Sequence, residues 1–391
     1  MVSKALIIEE FKSLIAKLKN DISMTSDKKT INAINFKIRN YQKVIKSLEG
    51  FTIDDTIITD ANIFKDLEGV GKGTLSRIDI IIKNGTLAEG HVEISNDNKE
   101  TVKRIEDLQT ITGIGPVRAG ELNNEGITLE MLLNDYDGHK EEGELIKKLT
   151  HHQIIGLKYY QQFTKRIPRQ VITQIEHKIQ KLLIMYLEIK QINPIDMDMT
   201  AIICGSYRRG CESSGDIDLL VSGSDKFDLI DFVKFLTDRG LITDHLTEKG
   251  TTKFMGVCED GYRLDIRFIP KESFGAALMY FTGSKEFNTM VRTEALKQGY
   301  TLEEYGLYPL ISEEEVKEKE KEKEKEKMKS VSEKPKRKST KKTSEDPTPL
   351  NKMTNSHQHM KGEKISCPTE ETIFDILSID KKYLDPTKRN L

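Results

Sequence analysis

The spacing of apolar positions divides the chain into stretches of unlike period. Ile7, Ile8, Phe11, Leu14, Ile15 and Leu18 recur three and four residues apart, as do Ile31, Ile34, Ile38, Tyr41 and Ile45. Side chains so spaced share one face of an α-helix, which predicts two amphipathic helices near the N-terminus. More helices are expected over about 100–160. A long one is expected over about 170–192, where Ile172, Ile175, Ile179, Leu182 and Leu183 keep the period. From Ala201 the period falls to two. AIICG, DIDLLVSG, TKFMGVCE and YRLDIRFIP read as short strands, with a helix over 227–237 between them. The pattern predicts an α+β multidomain chain, a helical N-terminal part followed by one domain of mixed strands and helices.

One stretch has neither period. The stretch over about 312–366 is of low complexity; where Glu and Lys alternate, over 317–327, opposite charges fall at i,i+3 but like charges at i,i+4 of any helix. With almost no apolar residues it has nothing to bury, so it is expected to be a solvated insertion, with folded sequence resuming at EETIFDIL. Lys334-Pro335-Lys336-Arg337-Lys338 inside it has the composition of a nuclear-import signal or a nonspecific DNA tether; a plain spacer fits equally.

Composition excludes some functions. The 391 residues are enough for several domains with their own cores. No apolar run approaches the roughly 18 residues of a membrane span, and acids interrupt the apolar N-terminus, so neither a membrane partner nor a secretion signal is expected. The four cysteines form no CxxC pair and suggest reduced thiols in an intracellular protein, nuclear or cytoplasmic. The net charge of −2 hides unlike pieces: residues 1–50 carry ten basic against five acidic residues, residues 51–150 eleven against twenty. Near-neutrality of the whole therefore does not exclude a polyanionic partner.

Two segments repeat. LEGVGKGTLSRIDIIIKNG (67–85) and ITGIGPVRAGELNNEGI (111–127) each carry a Gly-apolar-Gly turn opening a helix, Gly69 with Gly71 and Gly113 with Gly115. Such turns let a backbone approach closely and aim free amides at an anion; two copies favour a phosphodiester backbone, held without reading sequence.

The strongest chemical signal is GSYRRGCESSGDIDLLV (205–221). Asp216 and Asp218, two apart on a strand, project from one face, and paired hard carboxylates suit Mg²⁺. Gly205-Ser206 upstream forms a turn able to reach a triphosphate that Arg209 could neutralise. On a second strand Asp265 alternates with Leu264, Ile266 and Phe268, and can face the pair. Three carboxylates can hold two metals, one lowering the pKa of an attacking hydroxyl and one stabilising leaving pyrophosphate, with Asp265 as proton acceptor.

With HHQIIGLKYYQQFTKRIPR (151–169), TKFMGVC, LDIRFIPK, YFTGSKEFN (280–288) and a terminal LDP added, the chain resembles the family X DNA polymerases, the DNA polymerase beta family. The resemblance implies an N-terminal helical, 5′-phosphate-binding (lyase-like) domain over 1–95 and a DNA-binding helical subdomain over 96–160. A nucleotidyltransferase palm would follow over 161–270, and a nascent-base-pair-binding subdomain over 271–391 that the insertion interrupts, with fingers and thumb-like parts. Asp216, Asp218 and Asp265 would hold two Mg²⁺, or Mn²⁺ in their place. Ser206, Arg209, Ser214 and Gly215 would contact the dNTP triphosphate, Tyr280, Phe281 and Gly283 its sugar, and Asn288 its base. Lys253, Arg263 and Arg292 would lie along the template–primer, and Lys37, Tyr41 and Lys72 near a downstream 5′-phosphate. Main-chain carbonyls of Lys65, Leu67 and Val70, and of Gln109, Ile111 and Ile114, would hold Na⁺ or K⁺.

The implied activity is gap-filling, template-directed DNA synthesis in base-excision-type repair by a monomer acting on gapped or nicked duplex. Template-independent nucleotidyl transfer and non-enzymatic end binding are the alternatives. One position departs from the pattern. Arg77 stands where the family's lyase lysine is expected, and a guanidinium forms no imine at neutral pH. Removal of a 5′-deoxyribose phosphate is then either absent or left to another amine, such as Lys72 or Lys83.

Overall fold

Ser3 and Asp27 begin the first two helices, their side chains accepting the amides of Leu6 and Thr30. These helices, α1 (Lys4–Ser23) and α2 (Lys28–Gly50), bury the periodic residues named above: Ile7, Phe11, Leu14, Val44 and Leu48 are between 0% and 3% exposed. In the computed structural model the described residues are 2–25, 27–51, 57–91, 96–136, 143–191, 199–223, 227–247, 250–311 and 360–391. The chain divides into two units, Met1–Thr164 and Lys165–Leu391.

The first unit has two apolar cores. One joins α1 and α2 to α3 (Lys72–Asn84) through Phe64, Ile78 and Ile81. The other collects Leu108 of α4 (Asn96–Gln109), Leu122 of α5 (Pro116–Asn124), Leu132 of α6 (Leu129–Asp135) and Leu157 of α7 (His151–Lys158), with Ile111 and Ile146 from the segments between them. The two repeated turns lie one in each core and share a bonding pattern. The amide of Val70 donates to the Leu67 carbonyl at 3.1 Å, and that of Ile114 to the Ile111 carbonyl at 3.0 Å. Gly69 and Gly113 sit at φ +84° and +92°, where a side chain is strained, and a Cβ on either would press within 3.0–3.2 Å of Val44 or His152.

The second unit is built on a five-stranded sheet: β1 (Thr200–Ile203), β2 (Ile217–Gly223), β3 (Ile242–His245), β4 (Lys253–Cys258) and β5 (Arg263–Pro270), in spatial order β1-β2-β5-β4-β3. β2 and β5 are parallel; the other pairs are antiparallel. Ile217, Leu219, Val221, Leu264, Ile266 and Phe268 face α8 (Arg169–Ile189) and α9 (Leu229–Asp238). Leu220 and Ile269 face Ala277 and Leu278 of α10 (Phe274–Thr282). Both faces of the central strands are therefore covered, and Asp218 and Asp265 fall on the α10 face by pleat alternation. A smaller antiparallel sheet, β6 (Tyr300–Glu303), β7 (Gly306–Ile311) and β8 (Met360–Lys361), packs with α11 (Lys285–Lys297) and α12 (Glu370–Leu377).

The insertion is shorter than its charge pattern indicates. Residues 312–359, including the basic run at 334–338, lie outside the described residues, but 360–366 belong to the fold. Met360 and Lys361 pair with Ile311 and Leu310, and Ile365 bridges to Leu307. An edge strand needs main-chain partners rather than an apolar run, so nothing in the sequence marks it. Among the described residues no helix is long and apolar enough to cross a membrane, and all four cysteines are free thiols.

Candidate active site

Strand register brings the carboxylates together. Asp218 and Asp265 are directly paired across β2 and β5, and Asp216 immediately precedes β2. Carboxylate oxygens of all three lie within 4.8 Å of one another, the one such cluster of acidic, Cys or His ligands among the described residues. Like charge at this range raises the cost of ionisation. Burial, with Asp216 and Asp265 beside it, pushes Asp218 up to about 7. Burial also raises Asp265, against the pull of Arg263, whose guanidinium reaches both Asp216 and, at 3.3 Å, Asp265.

A divalent cation fits these residues on two grounds. Asp265 Oδ1 is buried without a hydrogen-bond partner, and three carboxylates meet one guanidinium, leaving an excess of negative charge. Arg263, implied by the resemblance to lie along the template–primer, bonds Asp216 and Asp265 in this structure. Lys253, in register with Arg267 on β5, has its pKa lowered by burial and by that neighbour.

The carboxylates open into a cleft of about 860 Å³. Its floor is the helical turn Gly205–Arg208 with Arg209. Gly205 lies at φ +56°, and a Cβ there would stand 2.3 Å from Asp218 Oδ2, so only glycine lets this turn approach the carboxylate. Ser206 donates to Ser214 Oγ at 2.8 Å. The opposite wall is Tyr280, Phe281 and Gly283 at the end of α10, with Asn288 and Arg292 from α11. The Tyr280 and Phe281 rings meet edge to face, 5.1 Å between centroids. Asn288 donates to the Tyr280 carbonyl at 2.8 Å, and Arg292 stacks over the Tyr280 ring at 4.9 Å. Of the nucleotide contacts implied by the resemblance, Ser206, Arg209, Gly215, Tyr280, Phe281, Gly283 and Asn288 line this cleft; Ser214 stands behind, bonded to Ser206. Arg166 and Lys285 line it too, although sequence reasoning passed over both. Arg166, in the quoted KRIPR, is held by its bonds to Ser213; Lys285 follows the Ser284 cap of α11.

In the first unit Tyr41, Gly69, Val70, Gly71 and Arg77 line a separate cavity of about 460 Å³. Arg77 is committed there: Nε donates to Glu89 Oε1 at 2.6 Å and Nη1 to the Gly73 carbonyl at 3.2 Å. Lys37 is exposed on α2, and Lys72 is the first residue of α3. The Leu67 and Ile111 carbonyls each accept one amide, at equivalent points of the two turns. Lys65 follows a short 3-10 helix, and Gln109 ends α4.

This parallel pair of carboxylate strands, with its cleft and helical hairpins, defines a class of nucleotidyl-transfer fold, and comparison identifies the family. The family model of the DNA polymerase beta palm matches residues 166–271, and that of the DNA polymerase beta thumb matches residues 277–390. The chain belongs to the DNA polymerase beta family, family X. It is 30% identical over 290 residues to DNA polymerase lambda of Arabidopsis thaliana (69% of this chain, 50% of that protein). It is 29% identical over 281 residues to DNA polymerase lambda of Rattus norvegicus (68% and 44%). The DNA polymerase/3′-5′ exonuclease PolX of Bacillus subtilis (strain 168) is 24% identical over 278 residues (70% and 45%). The chain spans about half the length of the curated relatives it matches.

Proposed function

We propose that this chain is a template-directed DNA polymerase that fills short gaps during repair, joining a dNTP to a primer 3′-hydroxyl with release of pyrophosphate. The observation that carries the reading is the meeting of Asp216, Asp218 and Asp265 beside a cleft that Asp216 and Asp218 line together with Arg209 and Tyr280. Two Mg²⁺ held by these carboxylates would acidify the attacking hydroxyl and neutralise the leaving pyrophosphate. Asp265, with one oxygen unpartnered, would take the hydroxyl proton. Arg263 would leave the carboxylates as the cations arrive and become available to the primer strand. Ser206, Arg209, Ser214, Gly215 and Arg166 would hold the triphosphate; Tyr280, Phe281 and Gly283 would flank the sugar, Asn288 the base, and Arg292 the template. The hairpin turns would grip the duplex backbone through amides and a monovalent cation on the six carbonyls named above. The first unit would anchor a downstream 5′-phosphate without lyase chemistry, because Arg77 is bonded to Glu89 and forms no imine.

Primer extension on a gapped duplex against a single strand tests the reading. Gapped duplex is expected to be extended by a few nucleotides with Mg²⁺, and Asp265→Ala to lower the rate about a thousandfold without loss of DNA affinity. Preference for the single strand would replace templated with untemplated transfer, and an Asp265→Ala chain that extends normally would end both.

A further inference from the structure

Glu370, the first residue of α12, is only 7% exposed and meets two arginines. Arg208 pairs with it fork to fork, Nη1 to Oε1 at 3.1 Å and Nη2 to Oε2 at 2.8 Å; Arg389 Nη1 donates to Oε1 at 2.6 Å. Arg389 is 0% exposed, its guanidinium against the rings of Phe287 and Phe374 at 4.9 and 5.6 Å. Desolvating three ionised groups is costly, and apolar side chains would hold these elements together more cheaply. What an ionic trio adds is direction, since planar forks fix both partners' orientation. The orientation passes to the next residues: Arg208 precedes Arg209, which lines the cleft, and Arg389 precedes Asn390.

Those two neighbours are bonded to each other. Asn390 Oδ1 accepts from Arg209 Nε at 2.8 Å, and Asn390 Nδ2 donates to the Arg209 carbonyl at 3.1 Å. Arg209 Nη1 donates to the Thr282 carbonyl at 2.6 Å, and Arg208 Nη1 to the Thr282 hydroxyl at 2.7 Å. With Nε and Nη1 engaged, Nη2 remains for an anion in the cleft that Arg209 lines. The Asn390 side chain is exposed, so its bonds to Arg209 are not a by-product of core packing.

We propose that the C-terminal tail 386–390 is a strap that presets the nucleotide site. Asn390 is a positioning residue that holds Arg209 in the rotamer that meets a triphosphate, and Glu370 with Arg389 holds the tail in place. A mobile arginine loses side-chain entropy when it binds an anion; one fixed beforehand does not. The inference rests on the polymerase reading of the cleft.

The test is a double-mutant cycle read by equilibrium binding of a dNTP to the full chain on gapped DNA, with Ca²⁺ in place of Mg²⁺. Asn390→Ala is expected to weaken dNTP binding about fivefold, with DNA affinity and Tm unchanged, and to raise KM by the same factor at nearly constant kcat. Arg209→Ala is expected to weaken binding further, and in that background Asn390→Ala is expected to add nothing. Equal weakening in both backgrounds, no weakening, or a matching loss of DNA affinity overturns the strap. A wild-type chain that shows the coupling but extends no primer overturns the polymerase reading and leaves the strap standing. Extension by the wild type without coupling overturns the strap alone, and a wild type that binds no dNTP overturns both.

Discussion

Two arginines, one in each unit, lie in ion pairs at candidate sites and do opposite things to the charge around them. Arg77 meets one carboxylate, Glu89, and the pair cancels. Arg263 meets Asp216 and Asp265 with Asp218 beside them, and the cluster stays negative. A cancelled pair leaves no net charge to attract a cation, and a guanidinium is no imine-forming amine. An uncancelled cluster has both a carboxylate pushed to about 7 and a standing demand for cation. On the proposed reading, group transfer belongs to the second unit and binding to the first.

Asp218→Asn tests the uncancelled cluster hardest. Incorporation is expected to fall about a thousandfold or more, as when a metal carboxylate is lost. The metal-free fold should move the other way. The folded pKa of Asp218 is raised, so its stabilising contribution is complete below the ordinary carboxylate pKa and lost as pH rises through about 7. At pH 8 the asparagine should therefore stabilise the metal-free fold by about 1–3 kcal/mol, seen as a higher Tm, and saturating Mg²⁺ should erase the advantage. An unchanged metal-free Tm would mean the carboxylates repel less than their spacing requires.

Arg77 sharpens the other side of the comparison. Borohydride trapping on a 5′-deoxyribose phosphate end is expected to give no adduct with the wild type and a detectable one with Arg77→Lys, whose amine can form the imine. An adduct on the wild-type chain, mapped to Lys72 or Lys83, would break the contrast between a binding unit and a chemical one.

The smallest effect concerns a carboxylate that is satisfied. Glu10 is 5% exposed. Burial alone would raise its pKa, but the Leu87 amide at 2.6 Å, His91 and the Thr86 hydroxyl win and lower it. Stability from a lowered carboxylate is present above its unfolded pKa of about 4.3 and lost as pH falls through the folded value. Glu10→Gln should cost about 1–2 kcal/mol at pH 7, measured by urea unfolding, and the difference from wild type should vanish in acid. A cost that persists in acid would assign the effect to packing.

The period of three and four residues located α1, α2 and α8, because a helical face is written in local spacing. The DID spacing put Asp216 and Asp218 on one side for the same local reason, and the two glycine turns announced themselves because only glycine enters the left-handed region freely. Residues 360–366 were illegible: an edge strand is held by backbone partners that composition does not record. Arg166 was in view within KRIPR but gave no chemical signal of its own, and Asn390 gave none.

Sequence by itself therefore determined which residues could carry charge, turn the backbone and bury a face. Tertiary structure decided which of them meet. The register that sets Asp218 opposite Asp265, the entry of Arg263 among the carboxylates, and the return of Asn390 to Arg209 from 181 residues away all join remote parts of the chain. Local spacing cannot specify such contacts, because each depends on which strands become neighbours and where the chain's end is packed.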